Sequence, residues 1–244
     1  MAEGRGRAWQ PELLVDPDPF ARAAALVVAG IADVLARESV VRLAIPGGSA
    51  LRSAAVARRD LGDAWGCVAL TWVDERCVPF DDVESNRGAA SRMGLFGGSP
   101  GDRNLIEPAS VLPLYLDGET SEEAVARVEA ALSAEFANAL DVVLLGMGAD
   151  GHVASLFPSL SWPSHGMVAF VAESPKPPPR RITLTRRALA TADRIVLVVA
   201  GEGKRDALER LIGGDARLPA HGLEGLVVVT DLDSNRRGGR RDDD

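Results

Sequence analysis

Histidine and cysteine are scarce in this chain, with three of the first and two of the second among 244 residues. None of them stands at a ligand spacing such as H-x-x-x-H or C-x-x-C, so no metal site built from protein ligands is expected. Cys67 and Cys77 are separated by an apolar run that reads as a strand. About seven extended residues would hold them roughly 20 Å apart, too far for a disulfide, and both are expected as reduced thiols. No run approaches the roughly 20 apolar residues that cross a bilayer. The opening Met1-Ala2-Glu3-Gly4-Arg5 leads to Trp9-Gln10-Pro11 rather than to a secretory apolar core, so a cytoplasmic protein with no membrane partner is expected. Excess positive charge is lacking as well: Lys and Arg number 27 against 35 Asp and Glu, a net charge of −8. Nucleic acid rewards a basic face with counterion release and is not an expected partner. An anionic ligand would have to be held by a local cluster of donors.

What the chain does have is an apolar content of 46%, enough to bury a sizeable core, and a charged share of 25% spread along its length. Pro19 can open a helix without losing a hydrogen bond, and residues 20–37 continue as an alanine-rich helical run. Residues 40–45 read as a buried strand, 46–49 as a tight glycine loop and 50–59 as a helix. The alternation then recurs. Strands are expected at 67–73, 112–116, 141–145, 167–172, 181–185, 194–200 and 226–230, and helices at 85–93, 120–140 and 202–212. Such alternation implies an α/β fold with a mostly parallel sheet and helices on both faces. With no internal repeat and no long linker, a single domain is expected over residues 17–233, after a flexible lead-in at 1–16. Residues 234–244, an Arg/Gly run closed by three aspartates, lack an apolar anchor and are expected to be disordered.

In an open parallel sheet, ligands bind where loops leave the C-terminal strand ends. Gly47-Gly48-Ser49 is placed there: two glycines let backbone N–H groups approach a ligand, Ser49 adds a hydroxyl, and a helix start adds partial positive charge. The spacing is not that of a nucleotide P-loop. Asp74-Glu75-Arg76 follows another apolar strand; a solvated turn is the plain alternative, and Asp74 with Arg76 is the candidate pair. Gly146-Met147-Gly148-Ala149-Asp150-Gly151-His152 matches the dinucleotide pattern G-x-G-x-x-G, with Glu173 at a suitable distance for a ribose contact. Yet such a fingerprint should open a full helix, and Pro158 stops the segment that follows. The alternative is a glycine turn projecting Asp150 and His152, whose imidazole suits base work near neutral pH. Arg181, after the proline run at 177–179, and Lys204, after Gly201-Glu202-Gly203, are two cations that could converge on a phosphate.

Taken in order, these segments resemble the 6-phosphogluconolactonase family from about residue 17 to 233. The likeness is carried by Pro46-Gly47-Gly48-Ser49, by Asp74-Glu75-Arg76-Cys77-Val78-Pro79 with Ser85-Asn86, and by the run from Leu144 to Pro158 around Asp150-Gly151-His152. Pro177-Pro178-Pro179-Arg180-Arg181-Ile182-Thr183-Leu184-Thr185 and Gly201 with Lys204 complete it. The resemblance implies a modified Rossmann-like fold and hydrolysis of 6-phospho-D-glucono-1,5-lactone to 6-phospho-D-gluconate, the second step of the oxidative pentose phosphate pathway. No cofactor or metal is implied, and a monomer is compatible with it. The expected division of labour has the 6-phosphate on Gly47, Gly48 and Ser49 with Arg181 and Lys204 nearby, and His152 as general base on water. Arg76 would face the oxyanion, Asp74 would orient Arg76 or sugar hydroxyls, and Asp150 would steady the loop or the imidazole. Two departures matter. The related glucosamine-6-phosphate deaminases carry a glutamate where this chain has Phe157, and the family usually has Thr-Pro after the serine where this chain has Ala50-Leu51. A deaminase-like enzyme, a nicotinamide oxidoreductase and a non-catalytic sugar-phosphate binder are the alternatives.

Overall fold

A computed structural model describes residues 9–97 and 106–233; the tail at 234–244 and the first eight residues of the lead-in lie outside the described residues. The described chain opens with β1 (Glu12–Val15) and α1 (Pro19–Leu35), whose start is capped by the Asp18 carboxylate accepting from Ala21 N–H. β2 (Val41–Ile45) leads through a single 3-10 turn at Gly48–Ala50 into α2 (Leu51–Leu61). Then come β3 (Val68–Trp72), β4 (Asp74–Arg76), α3 (Asn86–Arg92), β5 (Ser110–Leu112), α4 (Ser121–Glu135) and β6 (Val142–Gly146). β7 (Val168–Val171), β8 (Arg181–Leu184), α5 (Arg186–Leu189), β9 (Arg194–Val199), α6 (Arg205–Ile212) and β10 (Leu226–Thr230) complete it.

Seven strands form one wholly parallel sheet in the order β1-β10-β9-β6-β2-β3-β5. Every residue of β3 and β10 is buried. Successive side chains point to opposite faces, so both faces of the sheet are covered, and α1 packs across β6, β9 and β10 while also touching α2. The strand order positions the site. From β2 the chain builds outward through β3 to β5, then returns to the other side of β2 with β6, β9 and β10. Loops after β2 and β6 therefore leave in opposite directions, which opens a crevice at the switch point beyond their C-terminal ends.

Four expectations are corrected. β7 and β8 do not join the parallel sheet; they pair antiparallel with each other, and β8 pairs antiparallel with β4, Asp74 facing Thr183. A parallel pairing needs a crossover of a dozen or more residues, and the 172–180 connection is too short and holds no helix. Asp74–Arg76 is a strand rather than a solvated turn, with Asp74 6% and Glu75 2% exposed. The lead-in contains β1, held on β10 and packing Leu13 and Leu14 on the core, so the ordered unit begins before residue 17. Finally, α4 stops at Glu135: Ala137 and Asn138 adopt φ of 51° and 54°, and the Asn138 N–H donates to Leu132 O to close the helix.

Candidate active site

Four neighbouring strands of the parallel sheet deliver polar groups to one cleft of about 240 Å³. After β2 come Gly47, Gly48 and Ser49; after β3, Asp74 and Arg76; from the end of β6 and beyond it, Gly146, Gly148 and His152; after β9, Lys204. Arg181 enters from β8 and Asn86 from the first turn of α3. Eight of the nine expected site residues thus line a single cavity. The ninth, Asp150, sits behind His152 and touches it.

The glycine turn is fixed by packing as well as by conformation. Gly48 has φ +61°, a left-handed value that disfavours any side chain. A Cβ on Gly47 would fall 1.8 Å from Asn86 Oδ1, so Asn86 occupies the space a side chain would need. Gly48 and Ser49 stay exposed in the cleft just ahead of α2, where unsatisfied helix N–H groups favour an anion. Ala50 is buried, and a Cβ on Gly146 would lie 3.1 Å from its methyl group, so this departure from the family pattern faces the strand end and offers no hydroxyl.

His152 lies on a tight loop closed by Gly148 N–H to His152 O and Gly151 N–H to Gly148 O, 2.9 Å each. Its Nδ1 is 2.5 Å from Asp150 Oδ1. That carboxylate fixes Nδ1 as the donor and leaves Nε2 as the acceptor. The imidazole stacks on the buried ring of Phe157, centroids 4.6 Å apart. Burial holds the His152 pKa below the ordinary imidazole value; Asp150 opposes this and Lys176 reinforces it. Burial alone would raise the Asp150 carboxyl, but the His152 hydrogen bond and the Lys176 ammonium take it below the usual range.

Asp74 is locked in place. Asn86 Nδ2 donates to its Oδ1 at 3.2 Å, Ser155 Oγ to its Oδ2 at 2.6 Å, and Arg181 Nη1 lies 3.6 Å away. Of the two roles expected for Asp74, orienting Arg76 or meeting sugar hydroxyls, the first does not hold; Arg76 Nη1 donates instead to the backbone oxygen of Glu84 at 2.5 Å and to its carboxylate at 3.3 Å, leaving Arg76 Nε unpartnered. Arg181, 3% exposed, is more enclosed than a simple phosphate clamp would be: Nε donates to Pro178 O and Nη2 to the carbonyls of Lys176 and Pro177, at 3.0 to 3.2 Å. Burial lowers its pKa, with Asp74 opposing. Lys204, half-buried, has no hydrogen bond or ion pair to its ammonium among the described residues; burial also lowers its pKa, against the pull of Asp231.

Sequence reasoning overlooked three supporting residues. Glu75, wedged under α3, accepts from the N–H groups of Arg76, Asn86 and Arg87 at 2.6 to 2.8 Å, with burial pushing its carboxyl up. It anchors the helix that carries Asn86. Ser155 braces Asp74, and Lys176 reaches Asp150 at 3.2 Å. Only the last had a signal, a lysine inside a stiff proline run beside the chosen Arg181.

The cleft argues against a dinucleotide. No helix follows β6; residues 153–156 form an isolated bridge, and Glu173 is exposed and does not line the cavity. A volume below the ~300–1,000 Å³ of larger ligand sites suits one small molecule. Among the described residues no group of three or more His, Cys, Asp or Glu is placed to hold a metal ion.

A family model described as glucosamine-6-phosphate isomerases/6-phosphogluconolactonase matches residues 16–229. The 6-phosphogluconolactonase of Mycobacterium tuberculosis is 41% identical over 169 residues, 66% of this chain and 68% of that protein. That of Caulobacter vibrioides is 34% identical over 200 residues, 79% and 82% of the two chains. The crystal structure of 6-phosphogluconolactonase from Thermotoga maritima is similar with a TM-score of 0.73 over 91% of this chain and 98% of that one, at 24% identity, a likeness of fold. With its crevice at the β2/β6 switch point and these relatives, the chain belongs to the glucosamine-6-phosphate isomerase/6-phosphogluconolactonase family.

Proposed function

We propose that this chain hydrolyses 6-phospho-D-glucono-1,5-lactone to 6-phospho-D-gluconate, the second step of the oxidative pentose phosphate pathway. The observation that carries the reading is the pairing of Asp150 with His152 on one wall of a cleft whose other wall is the Gly47–Ser49 turn with the Lys204 ammonium, which has no partner among the described residues. One wall can activate water and the other can hold a phosphate.

The phosphate sits on the amides of Gly47 and Gly48, the Ser49 hydroxyl and the Lys204 ammonium, with the buried Arg181 charge adding to the field. Binding at this remote end fixes the lactone carbonyl against the catalytic wall. His152 Nε2 takes a proton from water as the water oxygen bonds to the carbonyl carbon, and Asp150 stabilises the imidazolium formed. Arg76 donates to the developing oxyanion, its guanidinium held by Glu84 on one nitrogen only. Collapse of the tetrahedral intermediate breaks the bond to the ring oxygen, which leaves as a hydroxyl on taking the proton back from His152. Asp74, already braced, accepts from a sugar hydroxyl.

The reading carries forward the expected cytoplasmic monomer; Cys67 and Cys77 are both free thiols, as suits a reducing compartment. No helix among the described residues is long and apolar enough to cross a membrane. The test is a coupled assay that generates the lactone freshly and follows acid release with and without the protein. Acceleration supports the reading; no acceleration, or ammonia release from glucosamine 6-phosphate in its place, overturns it.

A further inference from the structure

Of the 27 Lys and Arg residues in this chain only two are lysine: one lines the cleft and the other reaches the carboxylate behind it. Lys204 lines it directly. Lys176 stands behind the catalytic pair, with its Nζ 3.2 Å from Asp150 Oδ1, the same oxygen that accepts from His152 Nδ1 at 2.5 Å. A single carboxylate oxygen is thus shared between the imidazole and an ammonium.

A lysine on an exposed loop would ordinarily wander, but the backbone that carries this one is held. Arg181 donates to the carbonyl oxygens of Lys176, Pro177 and Pro178. Ser174 Oγ accepts from Lys176 N–H and donates to Lys176 O, and Ser174 N–H donates to Pro179 O. The proline run limits what freedom remains. Four of the five guanidinium N–H groups of Arg181 therefore act on this loop or on Ser155, which gives that buried cation a second role: it places Lys176.

We propose that Lys176 is a positioning residue for catalysis, one that acts through Asp150 by offsetting the carboxylate's charge so that the imidazole stays a neutral base. This rests on the lactonase reading above. An unbalanced carboxylate in contact with an imidazole favours the imidazolium, which cannot accept a proton from water. Lys176 supplies the balance at the shared Asp150 oxygen without itself lining the cleft. The groups acting on the imidazole are Asp150 on its own loop, Lys176 on the 172–180 connection and Asp74 on β4. Arg76, Arg181 and Lys204 complete the charge around the cleft. The lowered His152 pKa, to which Lys176 contributes, is consistent with this arrangement.

The experiment compares the full-length protein with Lys176→Met and Lys176→Arg by two readouts. The first is the NMR titration of the His152 ring, readily assigned in a chain with three histidines and independent of any substrate. The second is the pH profile of kcat/KM for lactone hydrolysis. Removing the cation should raise the His152 titration midpoint. It should lower kcat/KM on the acid limb about fivefold, as expected for one unit charge a few ångströms away in a wet cleft, with the deficit closing as pH rises. Lys176→Arg, which keeps the charge, should restore the acid limb. Thermal stability should hardly change, because partly exposed ion pairs contribute little. An unmoved or lowered titration midpoint overturns the proposal, as does an equal loss at every pH, which would make Lys176 a substrate contact. If wild type shows no lactonase activity, the functional reading fails while the titration still judges Lys176.

Discussion

A methyl group on Gly148 would fall 2.1 Å from Nδ1 of His152 and 2.6 Å from Asp150 Oδ1, so the glycine at this position is what lets the imidazole and its carboxylate partner lie flat against the loop. Gly148→Ala should therefore push the ring off its line into the cleft. The expected outcome is a fall in kcat of about 10²-fold or more, the scale of losing a placed general base, with a far smaller change in thermal midpoint. Steady-state kinetics beside differential scanning calorimetry checks it; a parallel collapse of stability and activity would assign Gly148 to the fold instead.

Asp150→Asn tests tautomer and charge together. The native carboxylate raises the His152 pKa against the lowering by burial. Removing its charge should move the ring further down, so the acid limb of kcat/KM shifts to lower pH. The plateau should fall by between about 10² and 10⁴-fold, because an amide holds the imidazole in its working tautomer poorly. A limb that moves to higher pH would contradict the assignment.

Lys204→Met removes a cleft ammonium that has no hydrogen-bond or ion-pair partner among the described residues. If it grips phosphate equally in ground and transition states, KM should rise about 10- to 100-fold with kcat nearly unchanged, the range of a charge-assisted hydrogen bond. A pure loss in kcat would move Lys204 to the reacting carbonyl.

Much of this was legible in the chain before any fold was known. Alternating apolar strands and helices give the parallel sheet, and glycine-rich strand exits give most of the cleft. What was hidden depends on pairings across long sequence distances. Asp74 and Glu75 look like a solvated turn because three adjacent charges usually are, yet β4 is drawn inward by β8 and each carboxylate meets donors from Asn86 and either Ser155 or Arg87. β7 and β8 share the composition of buried parallel strands, and only the missing crossover helix reveals their antiparallel pairing. The partners of Arg181 are backbone carbonyls, which leave no mark in a sequence.

Arg181→Met should cost stability as well as activity. It strips Asp74 of its buried counter-charge and leaves three carbonyls unmet, a loss on the order of 3–5 kcal/mol. Arg181→Lys should recover little of it, since one ammonium cannot span the carbonyls of Lys176, Pro177 and Pro178. Urea unfolding midpoints measure this directly, and near-wild-type stability in both variants would show that the bracket is dispensable.

Burial, partly offset by Arg180, pushes the Cys77 thiol up to about 11. Little thiolate is then present near neutral pH, so alkylation by iodoacetamide at pH 7.5 should be slow and should leave turnover intact. Fast labelling with loss of activity would place Cys77 in the working site.

The central claim is that His152 activates water opposite a separate phosphate grip, and kcat of His152→Ala on freshly generated 6-phosphogluconolactone tests it most directly. The expected result is a drop of about 10²–10⁴-fold with KM held within a few-fold of wild type. Hydrolysis by the variant at close to the wild-type rate would contradict it.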